Sequence, residues 1–397
     1  MKILITFAGT IENSGGMQNV CIQFANEMFK RGHQVAIAWY GSPHVHTFYP
    51  LDKNIPIFTF LPKNIDVNAP YHDIGKDISM GNKLIREGLR AWSRNQYRKW
   101  NDYCKKKIIA PGVREVISEY KPDIIISPSP DMTFYLEDNH GKILIITMMH
   151  NAPQHIFADT YANEIQALNH SAVIQVLLPS YVQTVQNVCP NPEVICIPNI
   201  VPVYDRIERK SKTRYQILNV ARFGEQKRQP LLLEAFAKLA DKFPEWDVKL
   251  LGEGRGKPYF KKMEEVITRY HLEKRVLIHD PVKDVLSHYY NADIFAFPSA
   301  FEGFSLAMTE AMSTGLPVVA YKSCPGVNEI VENGKDGILV EDGVDAFADG
   351  LSRLMQSAAL RNTMGMNGHN SMKKYSPDTV WNQWEKLMQN VLKKSGA

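Results

Sequence analysis

Twelve short apolar runs, separated by stretches of helical periodicity, limit what this chain can become. In the first half they are Ile3–Phe7, Gln34–Trp39, Ile57–Phe60, Ile124–Ser127, Ile143–Thr147 and Val173–Leu177. In the second half they are Tyr215–Val220, Val248–Leu251, Val276–His279, Ile294–Phe297, Val318–Ala320 and Ile338–Val340. Strand-length runs alternating with helical patterns are the signature of βαβ units on a parallel sheet. Met17–Arg31, between the first two runs, carries Val20, Phe24 and Met28 at helical spacing, and Gly32 stands where a helix C-cap belongs. Gln229–Lys242 and Leu306–Thr314 repeat the helical pattern in the second half.

The alternation breaks once. Ile197–Lys212 holds Pro198, Pro202 and the charged run Asp205-Arg206-Ile207-Glu208-Arg209-Lys210, and reads as an interdomain linker. A chain of 397 residues also exceeds one ordinary core. We expect an α/β architecture of two domains, 1–200 and 201–378. The closing segment 379–397 sets Trp381, Trp384, Leu387 and Val391 along one helical stripe, as if to pack back on the first domain.

Composition excludes several classes. The chain is 44% hydrophobic and 22% charged, without the roughly 18–20 consecutive apolar residues of a spanning helix. Its start reads as a buried strand rather than a signal peptide. The five cysteines, 21, 104, 189, 196 and 324, are scattered and lack metal-ligand spacing, so neither a disulfide scaffold nor a zinc site is expected and a reducing cytoplasm fits best. The net charge of +4 hides a local excess. Residues 83–121 hold eleven Lys/Arg against four Asp/Glu, a net +7, which leaves −3 for the remainder.

Five stretches carry groups suited to chemistry. In Phe297–Met312 a strand turns through small residues into a helix, so backbone N–H groups around Gly303, Phe304 and Ser305 would face an anion. Glu302 stands before that helix and Glu310 about two turns along it, roughly 10–12 Å away. Two such carboxylates can take hydroxyls from two parts of one extended ligand, or serve merely as a helix cap and a surface residue. Arg222 and Lys227 sit on a turn leaving the first strand of the second half, where a forked donor and a point charge suit a diphosphate, or form an ordinary solvated pair. Gly15 and Gly16 after the first strand would let a backbone approach a phosphate, or make only a tight turn. His150 ends an apolar run, as a core histidine or a site residue, and Gly252 opens a glycine-rich turn after another strand.

These stretches resemble glycosyltransferase family 4. The Glu302-x7-Glu310 pattern and the continuation Thr314-Gly315-Leu316-Pro317-Val318-Val319-Ala320 carry the likeness, which is strongest over 215–345. The resemblance implies the GT-B fold, two Rossmann-like domains facing across a cleft, and retaining transfer of a sugar. It implies that Glu302 contacts the donor sugar and Glu310 the nucleotide ribose, that Arg222 and Lys227 hold the pyrophosphate, and that Gly15 and Gly16 lie near the donor phosphates and the acceptor. It further implies His150 on the sugar-facing wall and Gly252 near the base. Arg228 departs from a more usual Gly after the Lys, and Pro325 from a more usual Gly in the loop 323–330.

The expected function is a hexosyl or N-acetylhexosaminyl transfer from a nucleotide-diphosphate donor, UDP-linked, to a hydroxyl of a cell-surface glycan or lipid-linked saccharide. The rival readings are an epimerase acting on nucleotide sugars and a silent binding subunit of a transferase. No cofactor beyond the donor substrate is expected, and no metal, since no Asp-x-Asp stands at the ligand end of a strand. Arg86, Arg90, Arg94 and Arg98 recur every four residues with Ile85, Leu89, Trp92, Trp100 and Tyr103 nearer another side, followed by Lys105, Lys106 and Lys107. Such a helix suits an anionic membrane surface or a polyphosphate lipid, or is an ordinary solvated helix; it matches no nucleic-acid module. The expected place is therefore the cytoplasm, peripheral to the inner face of the membrane.

Overall fold

The computed structural model describes residues 1–7, 9–12, 15–42, 44–61, 88, 93–206 and 212–394, the side chains of Arg94, Asn95 and Arg98 excepted. The chain divides into two units, Met1–Ile197 with the C-terminal segment from Trp381, and Pro198–Val380.

The first unit begins with β1 (Lys2–Phe7), α1 (Gly16–Lys30), β2 (Gln34–Trp39) and β3 (Ile57–Thr59). It continues with α2 (Arg94–Tyr120), β4 (Ile124–Ser127), α3 (Pro130–Leu136) and β5 (Leu144–Met148). Then come α4 (Pro153–Asp159), α5 (Ala162–Leu168), β6 (Val173–Val176), α6 (Pro179–Val188) and β7 (Glu193–Cys196). The strands form one parallel sheet in the order β3-β2-β1-β4-β5-β6-β7. Helices cover both faces, so central runs such as Ile3-Leu4-Ile5 are fully buried and read as continuous rather than alternating apolar sequence. Gly32 follows α1 at φ 85, a left-handed turn that suits glycine. The short edge strand β7 escaped the sequence reading because only Val194 and Ile195 in it are aliphatic.

Helix α2 corrects part of the basic-stripe reading. Ile109, Val113 and Val116 enter the core, and Gly112 lies so close to β3 that a Cβ there would stand 2.1 Å from the Phe60 carbonyl oxygen. Lys105 and Lys106 are buried rather than offered to a surface. The Lys106 ammonium pairs with Glu137 at 3.1 Å and Asp138 at 2.8 Å and lies 4.2 Å from the Phe134 ring centroid. That exchange of hydration for two carboxylates lets a cation sit inside. Arg86 and Arg90, with Ile85, Leu89 and Trp92, lie outside the described residues, as do the side chains of Arg94 and Arg98.

The second unit begins with β8 (Tyr215–Val220), α7 (Gln229–Ala237), β9 (Trp246–Leu251), α8 (Pro258–Arg269) and β10 (Val276–His279). It continues with α9 (Val285–Asn291), β11 (Ile294–Phe297), α10 (Leu306–Ser313), β12 (Val318–Tyr321) and β13 (Gly337–Val340), then α11 (Val344–Gln356) and α12 (Ala358–Met372). Its parallel sheet runs β10-β9-β8-β11-β12-β13. The start of the expected linker is no free tether: Val201 is buried and donates its N–H to the Tyr375 carbonyl at 2.8 Å, while 207–211 fall outside the described residues.

The last helix, α13 (Pro377–Lys394), presents the anticipated stripe. Trp381, Trp384, Leu387 and Val391 are all buried, and the two indoles meet the Phe24 ring of α1 edge-on at 6.0 and 5.2 Å. Glu385, on the same helix, takes Arg31 at 3.0 Å and His33 at 3.1 Å.

In both sheets the strand order reverses direction once, between β1 and β4 and between β8 and β11. Loops leaving the carboxyl ends there diverge and open a crevice, which is where such sheets bind ligands.

Candidate active site

The second unit places its chemistry on the two strands flanking its switch point. After β8 the chain runs through Arg222 and a single 3-10 turn, Glu225–Lys227, into α7. After β11 it runs through Glu302 to α10. The two loops are laced together: the Ala300 N–H donates to the Gln226 carbonyl at 2.8 Å, and the Gln226 amide donates to the Phe301 carbonyl at 2.7 Å. Across this lacing the Lys227 ammonium donates to the Glu302 carboxylate at 2.5 Å. Both side chains are largely buried, so a charge-assisted bond of this length is strong and fixes each partner. The sequence reading treated these two residues separately; the fold makes them one pair.

Two further features hold Glu302 in place. Its backbone N–H donates to the Pro325 carbonyl at 2.9 Å. Gly326, at φ +84, passes so near that a Cβ there would stand 2.2 Å from the Glu302 carbonyl oxygen. The loop therefore keeps a glycine at its closest approach even though Pro325 replaces the more usual one beside it. Glu302 is not the helix cap. Ser305 is the N-cap of α10, in the left-handed region at φ 56, and its hydroxyl is buried without a hydrogen-bond partner among the described residues. A strained, unsatisfied serine at a helix N-terminus is the kind of local cost found at ligand sites. The Phe304 ring is buried edge-on against Tyr375 at 5.0 Å, which leaves only its backbone for an anion.

Arg222 has an exposed side chain that enters no ion pair among the described residues. Its carbonyl is anchored by the Gln229 amide at 3.1 Å. Gly252 begins the turn after β9, where a Cβ would meet the Ala221 carbonyl oxygen at 1.9 Å. It is thus required by close packing of the loops after β8 and β9. Arg228 occupies a left-handed conformation at φ 49 and pairs with Asp342 at 3.1 Å. Here arginine adopts a geometry that favours glycine.

Glu310 faces a different environment. Tyr289, on α9, donates its hydroxyl to the Glu310 carboxylate at 3.1 Å. Burial pushes this carboxyl up to about 7, and the tyrosine bond opposes the shift. It is not a solvated surface residue.

In the first unit, Gly15 is the N-cap of α1 and Gly16 its first residue. Gly15 has φ −76, a conformation open to any residue, and the preceding Asn13 and Ser14 lie outside the described residues. His150 follows β5, with its Nε2 4.0 Å from the Cys21 sulfur on α1. Burial lowers the imidazole to about 4, so it is neutral at physiological pH. Its Nδ1 is buried with no hydrogen-bond partner among the described residues. Sequence reasoning missed Tyr289 and Cys21, because neither sits in a motif and only packing brings them to Glu310 and His150.

Comparison with known proteins bears on this geometry. Residues 202–371 match the family model described as glycosyl transferases group 1. An exopolysaccharide phosphotransferase of Streptomyces coelicolor is 30% identical over 51% of this chain, which spans only 21% of that protein. An N-acetyl-alpha-D-glucosaminyl L-malate synthase of Bacillus anthracis is 25% identical over 99% of this chain and 98% of its own length. Among solved structures, a sucrose-phosphate synthase of Thermosynechococcus elongatus superposes with a TM-score of 0.77 at 16% identity, covering 99% of both chains. Anabaena HepE, solved in complex with UDP and glucose, gives 0.72 at 18% identity over 98% of this chain and 99% of its own. The fold is GT-B, and the second unit carries the group 1 glycosyltransferase match.

Proposed function

We propose that this glycosyltransferase-fold chain moves a hexose or N-acetylhexosamine from a UDP-linked donor to a hydroxyl of a growing glycan or lipid-linked saccharide, with retention at the anomeric carbon. The Lys227–Glu302 pair at the sheet's switch point is the observation that carries the reading. It sets a cation for the leaving diphosphate beside a carboxylate for the sugar, on loops that fix both. The UDP complex of Anabaena HepE supports the donor class, and the N-acetyl-alpha-D-glucosaminyl L-malate synthase of Bacillus anthracis supports an N-acetylhexosamine.

In this reading Arg222 and Lys227 take the pyrophosphate, helped by the backbone N–H groups around Gly303, Phe304 and Ser305. Lys227 exchanges part of its bond with Glu302 for phosphate oxygens, which frees Glu302 to orient the sugar. Glu310 holds the ribose hydroxyls. The anomeric carbon–oxygen bond breaks as the acceptor oxygen bonds to the same carbon, and the acceptor proton passes to the departing phosphate. Charge grows on the diphosphate during this step, and preorganised donors there are worth several kcal/mol of barrier, about 3–4 for a single one. The resemblance also implies roles for Gly15, Gly16 and His150 of the first unit, where the buried His150 imidazole is a neutral hydrogen-bonding group. The transfer needs no metal, and full activity in EDTA is the expected result. Peripheral membrane attachment through residues 83–121 rests on the Arg86, Arg90, Arg94 and Arg98 side chains, outside the described residues, and no described helix is long and apolar enough to cross a membrane.

The test is thermal-shift binding of UDP, GDP, ADP and CMP to the wild type and to Lys227→Met, followed by donor turnover with and without glycan acceptor. Stabilisation by one nucleotide, weakened in the variant, supports the reading. Turnover to a free epimerised sugar would instead favour the epimerase, and absence of any nucleotide binding would favour a silent subunit.

A further inference from the structure

Tyr289 enters neither the motif nor the resemblance, yet it is the only residue that the structure shows hydrogen-bonded to the Glu310 carboxylate among the described residues. It belongs to α9, the helix that leads into β11, and is 1% exposed. Its ring packs edge-on to Phe295 of β11 at 6.0 Å, so the hydroxyl has a fixed origin. Tyr204, on the segment that opens the second unit, faces the same carboxylate; burial chiefly, and that negative charge next, push its phenol up to about 12. The Tyr204 N–H also donates to Ser313 on α10 at 3.4 Å. Tyr290, beside Tyr289, is directed instead to Asp205. The carboxylate therefore has one neutral phenol bonded to it and a second in its electrostatic neighbourhood, and no cation pairs with it among the described residues. A glutamate kept only for packing would be costly in that setting, whereas glutamine would satisfy the same tyrosine without a charge.

We propose that Tyr289 is a positioning residue for donor recognition: by donating to one oxygen of the Glu310 carboxylate it fixes the carboxylate plane, so that the second oxygen meets the vicinal hydroxyls of the donor's ribose. The inference rests on the donor-site reading above. Tyr289 itself touches no substrate; it acts through Glu310. The same bond favours the ionised form of the carboxyl, which accepts hydroxyl hydrogen bonds about twice as strongly as a neutral acceptor. Its loss therefore weakens the site in two ways, by freeing the carboxylate to rotate and by raising its pKa.

The experiment measures binding and turnover of UDP-glucose, UDP-N-acetylglucosamine, GDP-mannose and ADP-glucose from pH 5.5 to 8.5. Nucleotide sugars are used because their diphosphate has no secondary ionisation near neutrality. For the donor that binds, Tyr289→Phe is expected to raise Kd and KM about tenfold, the scale of one hydrogen bond to a charged group, and to leave kcat nearly unchanged. Wild-type affinity should fall as the pH drops through about 7, the midpoint should move to higher pH in Tyr289→Phe, and Glu310→Gln should bind weakly without that pH dependence. A Tyr289→Phe protein that melts earlier but keeps Kd and midpoint would overturn the inference while leaving the donor site standing. A wild type that binds none of the four would overturn the donor-site reading itself. If Tyr289→Phe does not fold, 3-fluorotyrosine at position 289 keeps the ring and strengthens the donor. It should move the midpoint to lower pH, and an unmoved midpoint sinks the proposal.

Discussion

Replacing Gly326 with Ala tests whether the Glu302 loop is held by contact with its neighbour. Two separate penalties are expected. The first is conformational: φ at Gly326 is +84, and an L-residue pays about 1–2 kcal/mol in the left-handed region. The second is steric. The new Cβ would lie 2.2 Å from the Glu302 carbonyl oxygen and 3.1 Å from that of Gly303. Ordinary contact begins near 3.4 Å, so the backbone under Glu302 must retreat by about 1 Å. Displacement on that scale can reduce turnover about a hundredfold. Gly334 supplies the control, because its φ is +82 and a methyl group added there would meet nothing within 4 Å. Gly334→Ala should therefore show the conformational penalty alone, a fall of a few degrees in the melting of the second unit at about 2–4 °C per kcal/mol. Gly326→Ala should melt lower still and lose both the nucleotide affinity and the transfer proposed above. Equal melting of the two variants, with donor affinity intact in Gly326→Ala, would refute the claim that Glu302 is positioned by this close approach.

Three further outcomes can be checked. Glu310 and His150 should tilt stability with pH in opposite directions. The Glu310 carboxyl is raised to about 7, so its contribution is fullest at low pH and is lost as pH rises through 7; Glu310→Gln should flatten that limb in equilibrium denaturation of the second unit. The His150 imidazole is lowered to about 4, so stability falls as pH drops from about 6.5 toward 4, by on the order of 2–3 kcal/mol, and His150→Gln should remove that loss in the first unit. Arg228→Gly should stabilise the second unit by about 1 kcal/mol, since release from a left-handed φ outweighs an exposed pair with Asp342; urea denaturation of the variant measures it, and a clear destabilisation would contradict the strain argument.

Much of the architecture was legible because a parallel sheet buried on both faces leaves a local imprint. Runs such as Ile3–Phe7 and Ile294–Phe297 are apolar at consecutive positions, and they became strands where the runs stand. The indole stripe of the last helix was equally plain, since its period is local. The edge strand Glu193–Cys196 was not, because an edge position asks for few apolar residues and leaves a weak pattern. The basic stretch misled in part. Charge counts do not say where a side chain ends, and Lys106 finds its carboxylates about thirty residues away on the chain.

The same division runs through the site. The sequence by itself determined the residue types and their order after each strand: Arg222 and Lys227 on one turn, Glu302 and Glu310 on another. Their spacing along the chain, together with the alternation of strands and helices, was enough to place them at the carboxyl edge of a sheet. Only the tertiary structure decided which groups meet. Lys227 and Glu302 lie 75 positions apart and join because β8 and β11 are neighbours at the reversal of strand order. Glu310 meets Tyr289 because α9 and α10 flank β11, and Gly326 supports Glu302 because the loop after β12 returns beneath it. Pairings between distant segments depend on sheet order and on close packing, and neither leaves a periodic mark in the chain.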